Sequence, residues 1–339
     1  MRSFPSIPTL AFLAATASLA SAQNWDHQTF VVTASNATAN QLLVYNSADK
    51  LVQTVATGGQ GGVSGNAGGI AVSHDRVAVV NFGSSSVSIF ELSDGRFSLK
   101  QAISTASSPV SVAFGHGHLY ILGTTKVESH RVYDYAVDSS ADGIASLVLA
   151  DGSAAQVGVI ESQLIISEKN NVIESVNLGW DGAVTGAATT VKNIPSNVNA
   201  PFGMATRDND AYVTIAHANE ISLVRNDAVV TVTGSGTQNA PCWLALDGPF
   251  LFSANSPSMS VSRYLVYGTK IIQQDAVAAT FNGDPTDIAY YAGNVAVIDS
   301  NGTVSHLSVF SVDGDSNLTL KGVSTMPSAN GVGFVNGDE

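Results

Sequence analysis

The sequence predicts an all-β protein, a seven-bladed β-propeller closed by pairing of its N- and C-terminal strands. Three observations support this. A large aliphatic residue followed by a small one recurs seven times. The recurrences keep a period of about 40–50 residues, and each end of the chain carries an incomplete unit that the other end can finish. Composition points the same way: Gly is abundant at 31 residues, 12% of the chain is charged, and short runs of Val, Ile, Thr and Ser are separated by Gly, Asn and Asp. No stretch of four turns shows helical apolar spacing.

The seven pairs are Ile70-Ala71, Val112-Ala113, Val157-Gly158, Met204-Ala205, Leu244-Ala245, Ile288-Ala289 and Val332-Gly333, and their small members lie 42, 45, 47, 40, 44 and 44 positions apart. Pro109, Pro201, Pro241 and Pro285 open four of these units at the same offset. The first strand of a blade lies nearest the axis, where seven strands converge, so Ala or Gly is expected where Leu would clash. Its aliphatic neighbour points the other way along the pleat and is expected to pack between blades.

Second strands are expected at Val77–Val80, Leu119–Leu122, Leu164–Ser167, Leu251–Ala254 and Val295–Ile298, and third strands at Val87–Phe90, Ile221–Val224 and Val261–Tyr264. Tight turns such as Asp94-Gly95 and Asp181-Gly182 lead into fourth strands. Near the N-terminus, Thr29–Thr33, Gln41–Tyr45 and Leu51–Ala56 make three strands with no first strand before them, while the seventh pair has no blade after it. The C-terminal strand is therefore expected to complete the N-terminal blade, which removes an exposed edge.

The first 22 residues read as an export signal: Arg2, a short apolar stretch from Ile7 to Leu19, and a small-residue cleavage site at Ala20-Ser21-Ala22. The propeller domain then spans residues 23–339, and the expected product is secreted, extracellular and monomeric. The apolar stretch is shorter than the roughly 20 residues a membrane span needs. With 14 Lys plus Arg against 27 Asp plus Glu, the chain offers no basic patch for nucleic acid or anionic lipid. The single cysteine, Cys242, excludes an intrachain disulfide and reads as a buried thiol. Sequons at Asn36, Asn301 and Asn317 are candidate glycosylation sites suited to a secretory route.

At several repeat segments the chain resembles the lactonase-like seven-bladed propellers, particularly secreted fungal proteins related to carboxymuconate cyclases. The segments are Asn81-Phe82-Gly83-Ser84-Ser85-Ser86-Val87-Ser88-Ile89-Phe90, Ser167-Glu168-Lys169, Pro201-Phe202-Gly203-Met204-Ala205 and Ala240-Pro241-Cys242-Trp243-Leu244-Ala245. The resemblance implies a fold, and an activity among lactonases and cycloisomerases. The sequence departs from the catalytic branches of that family. The residues after the four opening prolines are Val110, Phe202, Cys242 and Thr286, where lactonases often carry histidine. Arg131, Arg225 and Arg263 fall on third strands and Arg207 in a turn, away from the cleft where muconate cyclases place arginines for substrate carboxylates.

Loops entering first strands and loops leaving second strands share one face. The second strands end in Asn81, Gly123, Glu168, Asn255 and Asp299, with Ile215 or His217 at that place in the unit opened by Pro201. Together with Phe202, Trp243 and Asp287, these are expected to ring the channel mouth and bind a small molecule. Glu168, beside Ile165 and Ile166, is the candidate acid–base residue, His217 its proton-carrying partner, and Lys169 an orienting cation. The structural alternative is that Glu168 caps loop amides and His217 is a solvated loop residue. Asp287, Asp299 and Asn255 lack calcium-loop spacing, His116 and His118 lack further zinc ligands, and the Gly58–Gly69 stretch lacks the Lys and helix of a phosphate cradle. No cofactor is implied.

Two functions follow. One is an extracellular hydrolase or isomerase that opens or closes a lactone ring of a small organic acid. The alternative is a non-catalytic extracellular or cell-wall-associated binding glycoprotein.

Overall fold

A computed structural model describes residues 29–134, 136–194 and 199–337; the expected export signal lies outside them. The chain opens with β1 (Thr29–Ala34), β2 (Gln41–Tyr45) and β3 (Leu51–Ala56). Blade 1 is β4 (Ile70–Ser73), β5 (Arg76–Asn81), β6 (Ser86–Ser93) and β7 (Arg96–Ser104), and blade 2 is β8 (Pro109–Gly115), β9 (His118–Gly123), β10 (Lys126–Arg131) and β11 (Gly143–Ser146). Blade 3 is β12 (Ala154–Ile160), β13 (Gln163–Glu168), β14 (Val172–Leu178) and β15 (Val184–Thr190). Blade 4 is β16 (Pro201–Arg207), β17 (Asp210–Ile215), β18 (Glu220–Arg225) and β19 (Ala228–Gly234). Blade 5 is β20 (Pro241–Asp247), β21 (Phe250–Asn255), β22 (Ser260–Tyr267) and β23 (Lys270–Thr280), and blade 6 is β24 (Asp284–Tyr291), β25 (Asn294–Ser300), β26 (Ser305–Val312) and β27 (Leu318–Met326).

The last strand, β28 (Asn330–Asn336), lies beside β1, so blade 7 has the order β28-β1-β2-β3. Register runs from Thr29 opposite Asn336 to Ala34 opposite Asn330, with one bulge. Both chain ends thereby satisfy edge hydrogen-bonding groups that would otherwise face solvent. All seven aliphatic–small pairs fall on the innermost strands β4, β8, β12, β16, β20, β24 and β28.

The structure refines why the second member is small. A Cβ on Gly158 would sit 2.5 Å from Met204 Sδ and 2.7 Å from Thr206 Cγ2, both on the next blade's inner strand. One on Gly333 would sit 2.8 Å from Val72 Cγ2 of blade 1. The crowding is sideways, between neighbouring inner strands, and is not a matter of pointing at the axis. Both residues of each pair therefore belong to the blade-to-blade contact. That contact carries the cores, with Val112, Ile121 and Val157 in one cluster and Val32, Ile70 and Val79 in another.

The same crowding predicts a stability effect. A Cβ on Gly203 of β16 would overlap the backbone carbonyl oxygen of Cys242 on β20, where no side-chain rotation can relieve it. Gly203→Ala is expected to destabilise the protein by about 2 kcal/mol or more in denaturant unfolding, as overpacking against backbone does. Gly314→Ala, which meets nothing within 4 Å, is expected to change stability by less than about 0.5 kcal/mol. Equal effects of the two would contradict the inter-strand packing.

Candidate functional site

First strands begin, and second strands end, on one face of the ring, here called the upper face. The expected ring of polar residues is present there in sequence order, but its side chains are buried and mostly spent on neighbouring strands. Asn81 receives a hydrogen bond from Asn40 Nδ2 (3.0 Å) and donates to Ser88 Oγ (2.7 Å). Asn255 accepts from Ser253 Oγ (3.0 Å) and donates to Ser260 and Ser262 (3.2 and 2.8 Å). Asp287 accepts from the backbone amides of Ile288 (2.8 Å) and Val332 (3.1 Å), which ties blade 6 to the closing strand. Its burial pushes the carboxyl up to about 7. Asp299 lies against His306, with Oδ2 3.1 Å from Nδ1.

Glu168 ends β13 and is fully buried. It accepts a hydrogen bond from the Leu149 amide (3.0 Å) and a longer one from Ser153 Oγ (3.5 Å). Its other neighbour is Glu174 of β14, also fully buried, which accepts from the Val148 amide at 2.9 Å. Burial first, and then the hydrogen bond to Glu168, push the Glu174 carboxyl up to about 9. The two carboxyls are adjacent, and the loop amides of residues 148 and 149 each donate to one of them. His217 stands apart. It lies exposed in the short 3-10 turn Ala216–Ala218, while Ile215, paired with Pro201, holds the position that matches Asn255 and Gly123. Among the described residues no hydrogen bond or ion pair joins His217 to Glu168.

Sequence reading missed Glu174, yet a signal for it exists. Third strands carry a polar residue 15 to 19 positions after the small residue of the repeat: Ser88, Glu128, Glu174, Ser222, Ser262 and Ser308. Three of them bind the segment that leads into their own blade, and the fourth, Ser262, binds the outer strand of its own blade. Ser88 donates to Thr57 O (2.7 Å), Glu128 accepts from the Ala106 amide (3.2 Å), Glu174 accepts from Val148, and Ser262 donates to Ala276 O (2.7 Å).

The mouth itself is occupied by residues 57–69, the connection from β3 to β4. Asn66 lies across the axis. Its Nδ2 donates to Val110 O of blade 2 (2.6 Å), its carbonyl accepts from Trp243 Nε1 of blade 5 (3.2 Å), and its Oδ1 accepts from Asn330 Nδ2 of blade 7 (2.9 Å). The amide of Ala67 donates to Ala155 O of blade 3 (3.1 Å), and the Val112 amide of blade 2 donates to Gly68 O (2.9 Å). Ala67 also packs into the cluster containing Phe202 and Trp243, whose rings meet edge to face at 5.2 Å. Lys169, expected to orient an anion, instead donates from Nζ to Gly65 O at 2.6 Å, and its burial lowers its pKa. Asn66 and Ala67 are 3% and 2% exposed, so this part of the strap belongs to the packed interior.

The remaining candidates are placed as follows. Cys242 lies on inner strand β20, where burial pushes its thiol up to about 12. His118 uses Nδ1 toward His116 O (2.9 Å) and Nε2 toward Asp142 (2.8 Å), and His116 Nε2 meets Ile160 O (3.0 Å). Asn36 anchors the strap: its Oδ1 accepts from the amides of Gly62 (2.7 Å) and Val63 (3.1 Å), and its Nδ2 donates to Val63 O (2.8 Å). Asn301 is exposed, with Oδ1 turned back to the amides of Thr303 and Val304 (both 3.0 Å), and exposed Asn317 donates from Nδ2 to Asp313.

The carboxyl pair generates a pH dependence. Glu174 rises from an ordinary 4.5 to about 9 on folding. Its stabilising contribution is therefore complete below the unfolded value and is lost as pH rises through the folded one. Between those limits unfolding releases a proton, and stability falls by up to about 1.4 kcal/mol per pH unit. Glu174→Gln, which keeps the acceptor for Val148, is expected to flatten that slope in unfolding experiments across the same range. A slope unchanged in the variant would show that Glu174 is not the proton holder.

No protein-family model matches the sequence, and no curated protein matches it. Solved structures do match in shape. One is a "putative 6-phosphogluconolactonase" from Bacteroides fragilis, 14% identical, covering 91% of this chain and 98% of that one with a TM-score of 0.63. Another is a functionally unknown protein from Desulfotomaculum acetoxidans, 12% identical, covering 91% and 99% with a TM-score of 0.68. A third, a catalytically inactive form of virginiamycin B lyase from Staphylococcus aureus with quinupristin, is 16% identical and covers 81% and 92% with a TM-score of 0.57. At these identities the likeness is one of fold. The chain has the architecture of a seven-bladed β-propeller.

Proposed function

We propose that this chain is a secreted, non-catalytic propeller glycoprotein of the extracellular space or cell wall, which uses the lactonase-like ring as a binding scaffold. The observation that carries this reading is Asn66, hydrogen-bonded across the channel mouth to blades 2, 5 and 7. The place where a propeller of this shape would admit a small substrate is filled by the chain's own strap. The candidate acid–base residue behind it, Glu168, accepts from a loop amide and, at longer range, from a hydroxyl, and Lys169 is tied to the strap. A fold shared with hydrolases and lyases does not carry their reaction with it. The export signal and the three sequons support placement outside the cell, where glycans on Asn36 and Asn301 would stand on the upper loops of neighbouring blades 7 and 6.

A second reading is favoured by one specific observation. Burial raises the Glu174 carboxyl to about 9 directly beside Glu168, and two adjacent buried carboxyls are the equipment of an acid–base catalyst opening or closing a lactone ring of a small organic acid. In that reading the strap must lift to admit substrate.

The two readings separate in one assay. Purified mature protein and Glu168→Gln are tested for hydrolysis of a panel of uncharged and singly charged lactones. Absence of turnover by either protein is the outcome expected of a binding scaffold. Turnover by the wild type that disappears in Glu168→Gln, with the fold intact, would establish the enzyme and place its site beneath the strap.

A further inference from the structure

The position that Glu168 and Glu174 fill in blade 3 has counterparts around the ring, and in blades 1, 3 and 5 it is closed. Blade 1 closes it with Asn40 and the Thr57 carbonyl, blade 3 with the amides of Val148 and Leu149, and blade 5 with Gln238 and the Ala276 carbonyl. In blade 6 the same position opens into a cleft of about 390 Å3 between the outer strand of blade 5 and the face of blade 6. That volume falls in the range of small-molecule sites, roughly 300–1,000 Å3.

Its walls combine an apolar body with a small polar group. Phe281 and Phe310 meet edge to face at 5.9 Å, and Ala279 and Leu318 extend the apolar surface. The polar part is Asp299 with His306, which pair directly across β25 and β26, and Ser308 two residues further along the same face. The Asp299 carboxylate is 3% exposed and lies 3.1 Å from His306 Nδ1. With Asp299 as the acceptor, Nδ1 carries the hydrogen, and in the neutral form of the ring the lone pair is on Nε2. Among the described residues that nitrogen has no hydrogen-bond partner in the protein. A buried carboxylate behind the imidazole, no Lys or Arg on the cleft wall, and a net charge of −13 all disfavour an anionic ligand. A group that donates a hydrogen bond to Nε2 is favoured, on a flat apolar body that can lie against a phenyl ring.

We propose that the cleft between blades 5 and 6 binds a small hydroxylated aromatic molecule, whose hydroxyl donates to His306 Nε2 and whose ring packs against Phe281 and Phe310. Asp299 acts as a positioning residue that fixes the imidazole tautomer. The site is separate from the channel mouth and does not depend on whether the strap region is catalytic.

The test uses phenol and anisole, two probes of similar shape of which one has a hydroxyl to donate. Full-length mature protein is titrated with each while the His306 ring nitrogen resonances are followed by NMR. Phenol is expected to shift the Nε2 signal and to bind about tenfold more tightly than anisole, the effect of one hydrogen bond of about 1.4 kcal/mol. In His306→Phe that preference is expected to fall below about twofold, and Ala279→Trp, which fills the cleft from its other wall, is expected to abolish binding of both probes. Glu168→Gln is expected to change neither. Equal binding of phenol and anisole by the wild type, a preference that survives His306→Phe, or an Nε2 signal unmoved by phenol would each overturn the proposal.

Discussion

The rest of this structure depends on seven inner strands being brought close enough to pack side by side while the ring still closes. Adjacent inner strands leave room for one large side chain per contact, so Met204 can project toward β12 because residue 158 is glycine. The aliphatic–small repeat is the covalent record of that constraint. Closure places the same demand on the chain ends. Without β28 beside β1, two sheet edges would stand open, and Asp287 would have no Val332 amide to accept from.

A ring packed this way leaves a hole at its centre, and what fills the hole decides what the protein can do. Here residues 57–69 reach in from the closing blade and bind blades 2, 3, 5 and 7 through backbone groups and the Asn66 carboxamide. The strap also consumes functional groups that a ligand would otherwise meet: the Trp243 indole N–H, the Lys169 ammonium and the Asn36 amide. Polar groups lining a ligand site are normally left wanting partners in the empty protein. At this mouth they are satisfied, which argues for a closed end to the scaffold. In blade 6, by contrast, His306 Nε2 has no hydrogen-bond partner among the described residues.

The fold was legible in the sequence to a high degree because its determinants are local and repeated. Pair spacing, turn residues such as Asp94-Gly95, and the three strands lacking a first strand each report geometry within one blade, and they placed the strand ends to within three residues. The candidate site was legible only in part. Glu168, Asn81, Asn255, Asp287 and Asp299 do sit near the upper ends of their strands, but their orientation depends on partners from other strands and loops that the repeat does not announce. The Glu168–Glu174 pairing needs the register of β13 against β14, which places Glu174 opposite Ile166, diagonal to Glu168. His217 and Ile215 could not be separated without knowing where the turn begins. The strap was the least legible element. Its Gly-rich stretch has no periodicity, and its defining contacts lie 44, 177 and 264 residues away along the chain.

The most direct test of this account is native-state hydrogen exchange at the strap. The Ala67 amide is bonded to Ala155 O, and the Val112 amide to Gly68 O, both inside the mouth. If the strap is an integral part of the fold, these two amides exchange as slowly as the central-strand amides of blades 2 and 3 and open with them in the same cooperative step. Exchange at the rate of an exposed loop, well ahead of those strands, would mean that the mouth opens freely, and the description of it as sealed by its own chain would be wrong.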